Sequence, residues 1–217
     1  MKKFFLIALF SVSGIFAQNF QLHYDMGKDR HYFTSTFEMF KPDEYGSTFL
    51  FVDVDFDNPG NRSASLAYFE IARYINIPWF DGLSATIQYN DGTAPWGPLG
   101  HIWLVGVSYP VDLGFVTLNT DILYRKDYLS SGSDAQLTSV WFVPFFDGFV
   151  TFTGFIDIWT AQLAGKSGKD VVVLTEPQIW FSVQKHLFLG SEVEISKNFL
   201  PSDKVEVMPT IAFKWEF

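Results

Sequence analysis

Apolar and polar residues alternate along most of this chain. In its last stretch, PTIAFKWEF (209–217), Ile211, Phe213, Trp215 and Phe217 alternate with Ala212, Lys214 and Glu216, the two-residue period of a strand with one apolar face. The helical spacing i, i+3, i+4, i+7 forms no convincing segment after the first residues. The period predicts strands near 19–27, 31–40, 46–57, 63–76, 82–90, 100–109, 113–125, 135–144, 148–159, 170–183, 187–197 and 204–217. That makes twelve strands, an even number, with ten as the alternative count.

The connections between these strands alternate too. KPDEY, IPWFDG, PVDL, PFFDG and KHL are tight, whereas NPGNR, DGTAPWGPL, KDYLSSGSD, AQLAGKSGK and NFLPSD are longer, small or polar, and the first, GKDR, is short but polar. Tight turns on one rim and longer loops on the other mark an outer-membrane barrel. PWFDG (78–82) and PFFDG (144–148) suggest one repeated turn, in which Pro ends a strand, Asp-Gly reverses the chain and two aromatics sit at the rim. In a membrane those rings belong to an interfacial girdle.

Met1-Lys2-Lys3, the apolar stretch Phe4 to Phe10 and the small residues before Ala17 read as a secretory signal peptide over 1–17, with the mature chain at 18–217. The apolar stretch is short of the ~20 residues that a spanning helix needs. Aromatic residues make up 19% of the chain, which supports the girdle, and cysteine is absent, which removes disulfide and thiolate chemistry. A formal charge of −9 argues against nucleic acid or anionic lipid headgroups as partners.

Alternation alone fits a soluble barrel as well. The leader, the rim aromatics, the unequal loops and the final Phe217 favour lipid. The reading is therefore an all-β chain: one antiparallel, up-and-down transmembrane β-barrel of twelve strands, resident in the bacterial outer membrane after removal of its signal peptide. The strands near 100–109 and 135–144 are apolar on both sides, so the sequence does not say which face turns inward.

Placing the apolar faces toward lipid puts Glu38, Asp53, Asp55, Glu70, Asp121, Asp157, Glu176, Glu192, Glu194, Glu206 and Glu216 in the lumen, with Arg125 and Lys214 among them. An acidic, low-dielectric passage repels anions and favours neutral or cationic solutes. Tyr32, Phe51, Tyr68, Phe155, Trp159 and Trp180 share that inward parity. They could stack on a planar polar ligand such as a nucleoside, or simply fill the barrel. DVDFDNPGN (53–61) has the acids of a calcium loop at positions one, three and five, but Asn58 and Ala64 stand where that loop needs Gly and Glu. No metal site or cofactor is expected. His23, His31, His101 and His186 show no catalytic spacing and no G-x-S-x-G or H-E-x-x-H occurs, so no catalytic residue is assigned.

HYFTSTFEMFKPDEYGSTFLFVDVDF (31–56) and SLAYFEIARYINI (65–77) resemble the early strands of the Tsx family of nucleoside-specific channel-forming outer-membrane proteins, and still more a smaller related bacterial family. The shared pattern is an acidic strand, an aromatic-rich strand with inward acids, then a strand carrying Phe69-Glu70-Ile71. The resemblance implies a monomeric twelve-stranded barrel through which nucleosides diffuse past weak sites, with Glu38, Asp53, Asp55 and Glu70 facing the lumen. This chain is shorter than typical members, so its loops are trimmed.

Together these readings give a passive channel for small neutral or weakly cationic solutes, not an enzyme. Its expected pore-lining residues are Glu38, Asp53, Asp55, Tyr68, Glu70, Asp121, Arg125, Asp157, Trp159, Glu176, Trp180, Glu192 and Glu194. Expected partners are outer-membrane lipid, a nucleoside-like solute and, through Phe217, the barrel-assembly machinery. The alternatives are a structural or receptor barrel with a filled lumen and, second, a membrane-embedded hydrolase.

Overall fold

The computed structural model describes residues 17–57, 60, 63–128, 130, 132–163, 165–199 and 203–217. Of the leader read over 1–17, residues 1–16 lie outside the described residues and Ala17 begins the first strand. Twelve long strands follow one another: β1 Ala17–Asp25, β2 Phe33–Asp43, β3 Gly46–Phe56, β4 Leu66–Asn76, β5 Ser84–Ala94 and β6 Ile102–Asp112. Then come β7 Thr117–Asp127, β8 Asp134–Phe145, β9 Val150–Ala161, β10 in two pieces, Asp170–Thr175 and Gln178–Gln184, β11 Leu187–Lys197 and β12 Val205–Glu216. Each pairs antiparallel with its neighbour in sequence. The sheet closes where β1 meets β12, from Asn19↔Glu216 to Asp25↔Thr210. Two further backbone bonds extend the seam, Phe217 N–H to Gln18 O (3.0 Å) and Met26 N–H to Pro209 O (2.9 Å). Closure leaves no strand edge for lipid to strand unpaired.

β10 is one strand by register. Ile156↔Thr175 and Thr153↔Gln178 hold it to β9, and Thr175↔Ile195 and Gln178↔Glu192 hold it to β11, without a slipped residue. The ladder opens at Glu176-Pro177 because proline has no N–H to donate. Gly154 sits opposite with φ 151°, and a Cβ there would run into the Glu176 carbonyl and the Pro177 backbone, so the gap demands glycine.

The two similar turn sequences fold differently. β4 ends at Asn76, before Pro78, and the chain reverses through bonds from Phe80 N–H to Ile77 O and from Leu83 N–H to Phe80 O. β8 instead runs through Pro144, paired with Thr151, to Phe145. There a 3-10 turn over Phe146–Gly148 reverses the chain, with φ of 51° and 55° at Phe146 and Asp147. The expected single turn is thus two turns: in the second, the ladder continues past the proline, and the few residues left must take left-handed conformations. A further departure lies at 91–99, where β5 continues to Ala94 and a two-residue strand, Gly97–Pro98, folds back on it.

Burial alternates most plainly along β5 to β8 and β12, while β3 is half-buried throughout. Outward side chains at mid-strand form a charge-free cross-strand row: Val107, Ile122, Leu137, Ile158 and Val173 on β6 to β10. Lys41, Asp43, Arg73, Asp91, Lys126 and Lys197 share the outward parity and lie toward strand ends. Exposed aromatics gather at both rims, Trp79, Phe80, Phe115, Phe146 and Phe217 by the tight turns and Trp96, Tyr128 and Phe199 by the longer loops. The two strands of ambiguous face are settled as well. Leu104 is fully buried between exposed Trp103 and Val105, and Gln136 is buried beside exposed Leu137.

Candidate functional site

The inner face is built from residues that a lipid-facing position would not tolerate. On β1 to β3, Asn19 Nδ2 donates to Glu38 (2.9 Å), Thr36 Oγ1 to Asp53 (2.5 Å) and Thr34 Oγ1 to Asp55 (2.7 Å). Strand pairing puts these threonines opposite the acids, so each carboxylate has a fixed cross-strand donor. On β4 and β5, Glu70 accepts from the Tyr68 hydroxyl (2.5 Å) and from Asn90 Nδ2 (2.8 Å). Asp121 accepts from Tyr74 (2.9 Å) and Gln88 (2.8 Å), and Asp157 from Thr138 (2.5 Å). On β10 and β11, Gln178 donates to Glu192 (2.5 Å) and Ser196 to Glu194 (3.1 Å).

These carboxylates face one another across the lumen. Glu176 lies within electrostatic reach of Glu192, Asp53, Glu194 and Asp157, and Glu192 within reach of Asp53 and Glu38. Asp25 and Asp134 are buried on the same inner face, each against a basic partner, Arg30 at 3.1 Å and Lys169 at 2.8 Å. The cations on that face are held in place. Arg125 bonds Gln136 (2.7 Å) and lies over the Trp159 ring at 5.0 Å. Lys214 sits over Trp180 and Phe188, at 4.8 Å from each ring, and 3.1 Å from Glu216. Both are cation–π pairs shielded from bulk water.

The expected pore-lining residues thus come together on one surface but not on equal terms. Glu38, Asp53, Asp55, Tyr68 and Glu70, inward on β2 to β4, are half-buried, so water reaches them. On β6, β7 and β10, by contrast, the inward Leu104, Leu123, Val172 and Trp180 are buried and fill the lumen. Trp180 is one of the aromatics read as a stacking face, yet it is enclosed: its Nε1 donates to Gln178 (2.9 Å), His23 meets its edge and Lys214 covers it. Trp159 is likewise enclosed between Arg125 and Phe199.

Sequence reasoning passed over Asp25, Asn90, Asp134 and Arg30. Asp25 shares the parity of Gln21 and His23 against Phe20, Leu22 and Tyr24, so alternation could have found it. Arg30 lies in the loop between β1 and β2 and turns inward to bond Asp25 and Glu194. No periodicity marks such a residue. Burial alone would lower the proton affinity of its guanidinium, but Glu194, Tyr32 and Asp25 together outweigh that and raise it. Burial pushes the neighbouring Tyr32 hydroxyl above the usual phenol range, and Asp55 adds to the rise.

Three histidines have structural surroundings. His23 bonds Thr210 (3.1 Å) and Gln21 (2.8 Å), His101 packs between Tyr89 and Tyr128, and His186 packs on Trp215. None of these contacts is to a serine hydroxyl, the partner a lipase-type nucleophile would supply.

A family model described as "Domain of unknown function (DUF5020)" matches residues 17–217. The chain belongs to this family. Among solved structures, the DUF5020 barrel is similar to the NanC porin, with a TM-score of 0.60 and 12% identity over 93% of this chain and 100% of that one. It is also similar to the KdgM porin, with a TM-score of 0.51 and 10% identity over 93% and 99% of the two chains. A structure of the KdgM porin in complex with disordered oligogalacturonate gives the same TM-score at 9% identity, over 93% and 99%. No curated protein matches the sequence. At these identities the shared property is the fold. The DUF5020 barrel has the fold of bacterial outer-membrane porins, and its charge-free outer row on β6 to β10 fits that bilayer.

Proposed function

We propose that the DUF5020 barrel is a passive outer-membrane channel for small neutral or weakly cationic solutes, with nucleosides the best named candidates, and that residues 1–17 are the signal peptide that directs it there. The observation that carries this reading is the half-buried wall of β2 to β4, where Glu38, Asp53, Asp55 and Glu70 border the lumen with each carboxylate held by a side-chain donor. Phe51 and Tyr68, with ring centroids 6.0 Å apart, offer apolar faces beside those acceptors. A nucleoside could stack there and donate hydroxyl and amino hydrogens to the carboxylates. Because each acid already has a donor, added contacts are weak, as conduction requires. The resemblance of 31–56 and 65–77 to the Tsx family supports the same solute. The KdgM porin was solved with oligogalacturonate, a polyanion; an acidic lumen would repel such a solute.

Proteoliposome swelling tests the proposal. Uridine and adenosine should enter faster than their monophosphates, and Asp53→Asn with Glu70→Gln should narrow that gap. Equal entry of nucleosides and nucleotides would defeat the acidic filter. No swelling with any solute would favour a second reading, a receptor or structural barrel, for which the buried Leu104, Leu123 and Trp180 speak. In that case removing the loops at 91–99 or 160–169 should abolish binding of a partner and leave solute entry unchanged.

A further inference from the structure

The loop between β1 and β2 is pinned at its base. Met26 N–H donates to Pro209 O (2.9 Å), Gly27 N–H to the Asp25 carboxylate (2.7 Å) and Arg30 N–H to Gly27 O (3.1 Å). Gly27 lies so close to Met208 that a Cβ would collide with its sulfur. With the backbone held, the Arg30 side chain turns toward the lumen, where Nη1 is 3.1 Å from Asp25 and 3.0 Å from Glu194. Asp25 ends β1 and Glu194 belongs to β11, with β12 between them. The same guanidinium is within electrostatic reach of Asp55 on β3. It therefore sits off the wall, at the longer-loop mouth, against acids from three separate strands. The side chains are sheltered, Arg30 at 21% exposure, Glu194 at 13% and Asp25 at 7%, so the pair is screened less than a surface pair would be.

We infer that Arg30 is the selectivity-determining residue of the mouth, its guanidinium occupying a two-carboxylate seat that would otherwise hold a cationic, guanidinium- or amine-bearing solute. This rests on the channel reading above. With Arg30 in place, Asp25, Glu194 and the guanidinium together carry one negative charge; without it they carry two, and a forked acceptor pair is free. The mouth thus admits neutral solutes without trapping cations, and it sets how strongly the acidic lumen beyond it is felt from outside.

The test is the reversal potential of reconstituted single barrels in a potassium chloride gradient, with assembly of each variant checked by its resistance to unfolding in detergent. In Arg30→Ala the potassium-to-chloride permeability ratio should rise about 25-fold, because one unit charge about 4 Å from a wet ion is worth about fivefold for the cation and about fivefold in the opposite sense for the anion. Arg30→Lys should stay near the parent ratio. Gly27→Val keeps the arginine but dislodges its loop, and should behave as Arg30→Ala. Added guanidinium chloride should return Arg30→Ala toward the parent ratio and leave the parent unchanged. A conducting parent whose ratio Arg30→Ala leaves unaltered would overturn the inference and leave the channel standing; the same holds if guanidinium acts alike on both proteins. No current in parent or variants would remove the channel reading, and the inference with it.

Discussion

Replacing Ile122 by arginine should cost about 2–4 kcal/mol of stability in lipid, the price of a cation at the midplane of a barrel's outer face. Ile122 is at the centre of β7, is 65% exposed, and its cross-strand neighbours Val107 and Leu137 are also exposed and apolar. In a soluble barrel those exposed residues would face water, and a charge there would be nearly free. The control is Asn119→Lys, on the opposite parity of the same strand and exposed near the rim, which should change little. Both can be read by urea unfolding of the barrel in lipid vesicles. Equal stability of the two variants would mean that the belt does not face hydrocarbon.

Much of the fold could be read because a bilayer enforces a strict rule. Each spanning strand must show lipid an uncharged face, so Ile211, Phe213 and Trp215, or Val171 and Val173, disclose their direction from sequence alone. The structure places them as the alternation requires, with Met208, Thr210, Ala212 and Lys214 buried on the inner side of β12. The rule weakens where the lumen is apolar too. Leu104 and Leu123 are filling, and a filled stretch of lumen reads as apolar on both faces, which is why β6 resisted assignment. It fails where a residue obeys no period. Arg30 comes from a loop, and its inward turn depends on Asp25, Pro209 and Met208, distant in sequence or unremarkable by themselves. The two Asp-Gly turns show the same limit: PWFDG and PFFDG differ by one residue, but the ladder decides whether proline falls inside the strand or after it.

The candidate site was legible as a set but not as a surface. Parity brings Asp53, Asp55, Glu70, Asp157, Glu176 and Glu192 to one side, and it brings Trp159 and Trp180 there as well. Only packing separates them: the acids of β3 and β4 border water, while the two tryptophans are covered by Arg125 and Lys214. A cation over a ring removes the very face that a ligand would use. Sequence can therefore nominate aromatic platforms, yet the choice between platform and filler belongs to the cation that lies on top.

Deleting Phe217 should leave most of the protein unassembled while any barrel that does form conducts like the parent. The side chain is 68% exposed at the tight-turn rim, so its loss removes no packed core. Its backbone N–H closes the seam to Gln18 O (3.0 Å), one bond beyond Asn19↔Glu216, worth only about 1 kcal/mol. Neither quantity would unfold a closed barrel whose first and last strands pair from Asn19 to Asp25. A large loss of assembled protein would therefore have to arise before closure, when β12 is still an open edge, the stage at which we propose that an assembly factor recognises it. Phe217→Ala separates the two roles, because it keeps the backbone bond and removes only the ring. If the ring is the recognised feature, Phe217→Ala should accumulate unassembled chains as the deletion does, measured as the fraction of heat-modifiable barrel in outer-membrane extracts. If Phe217→Ala assembles normally and the deletion does not, the seam hydrogen bond is what matters, and the aromatic ending has no part in recognition.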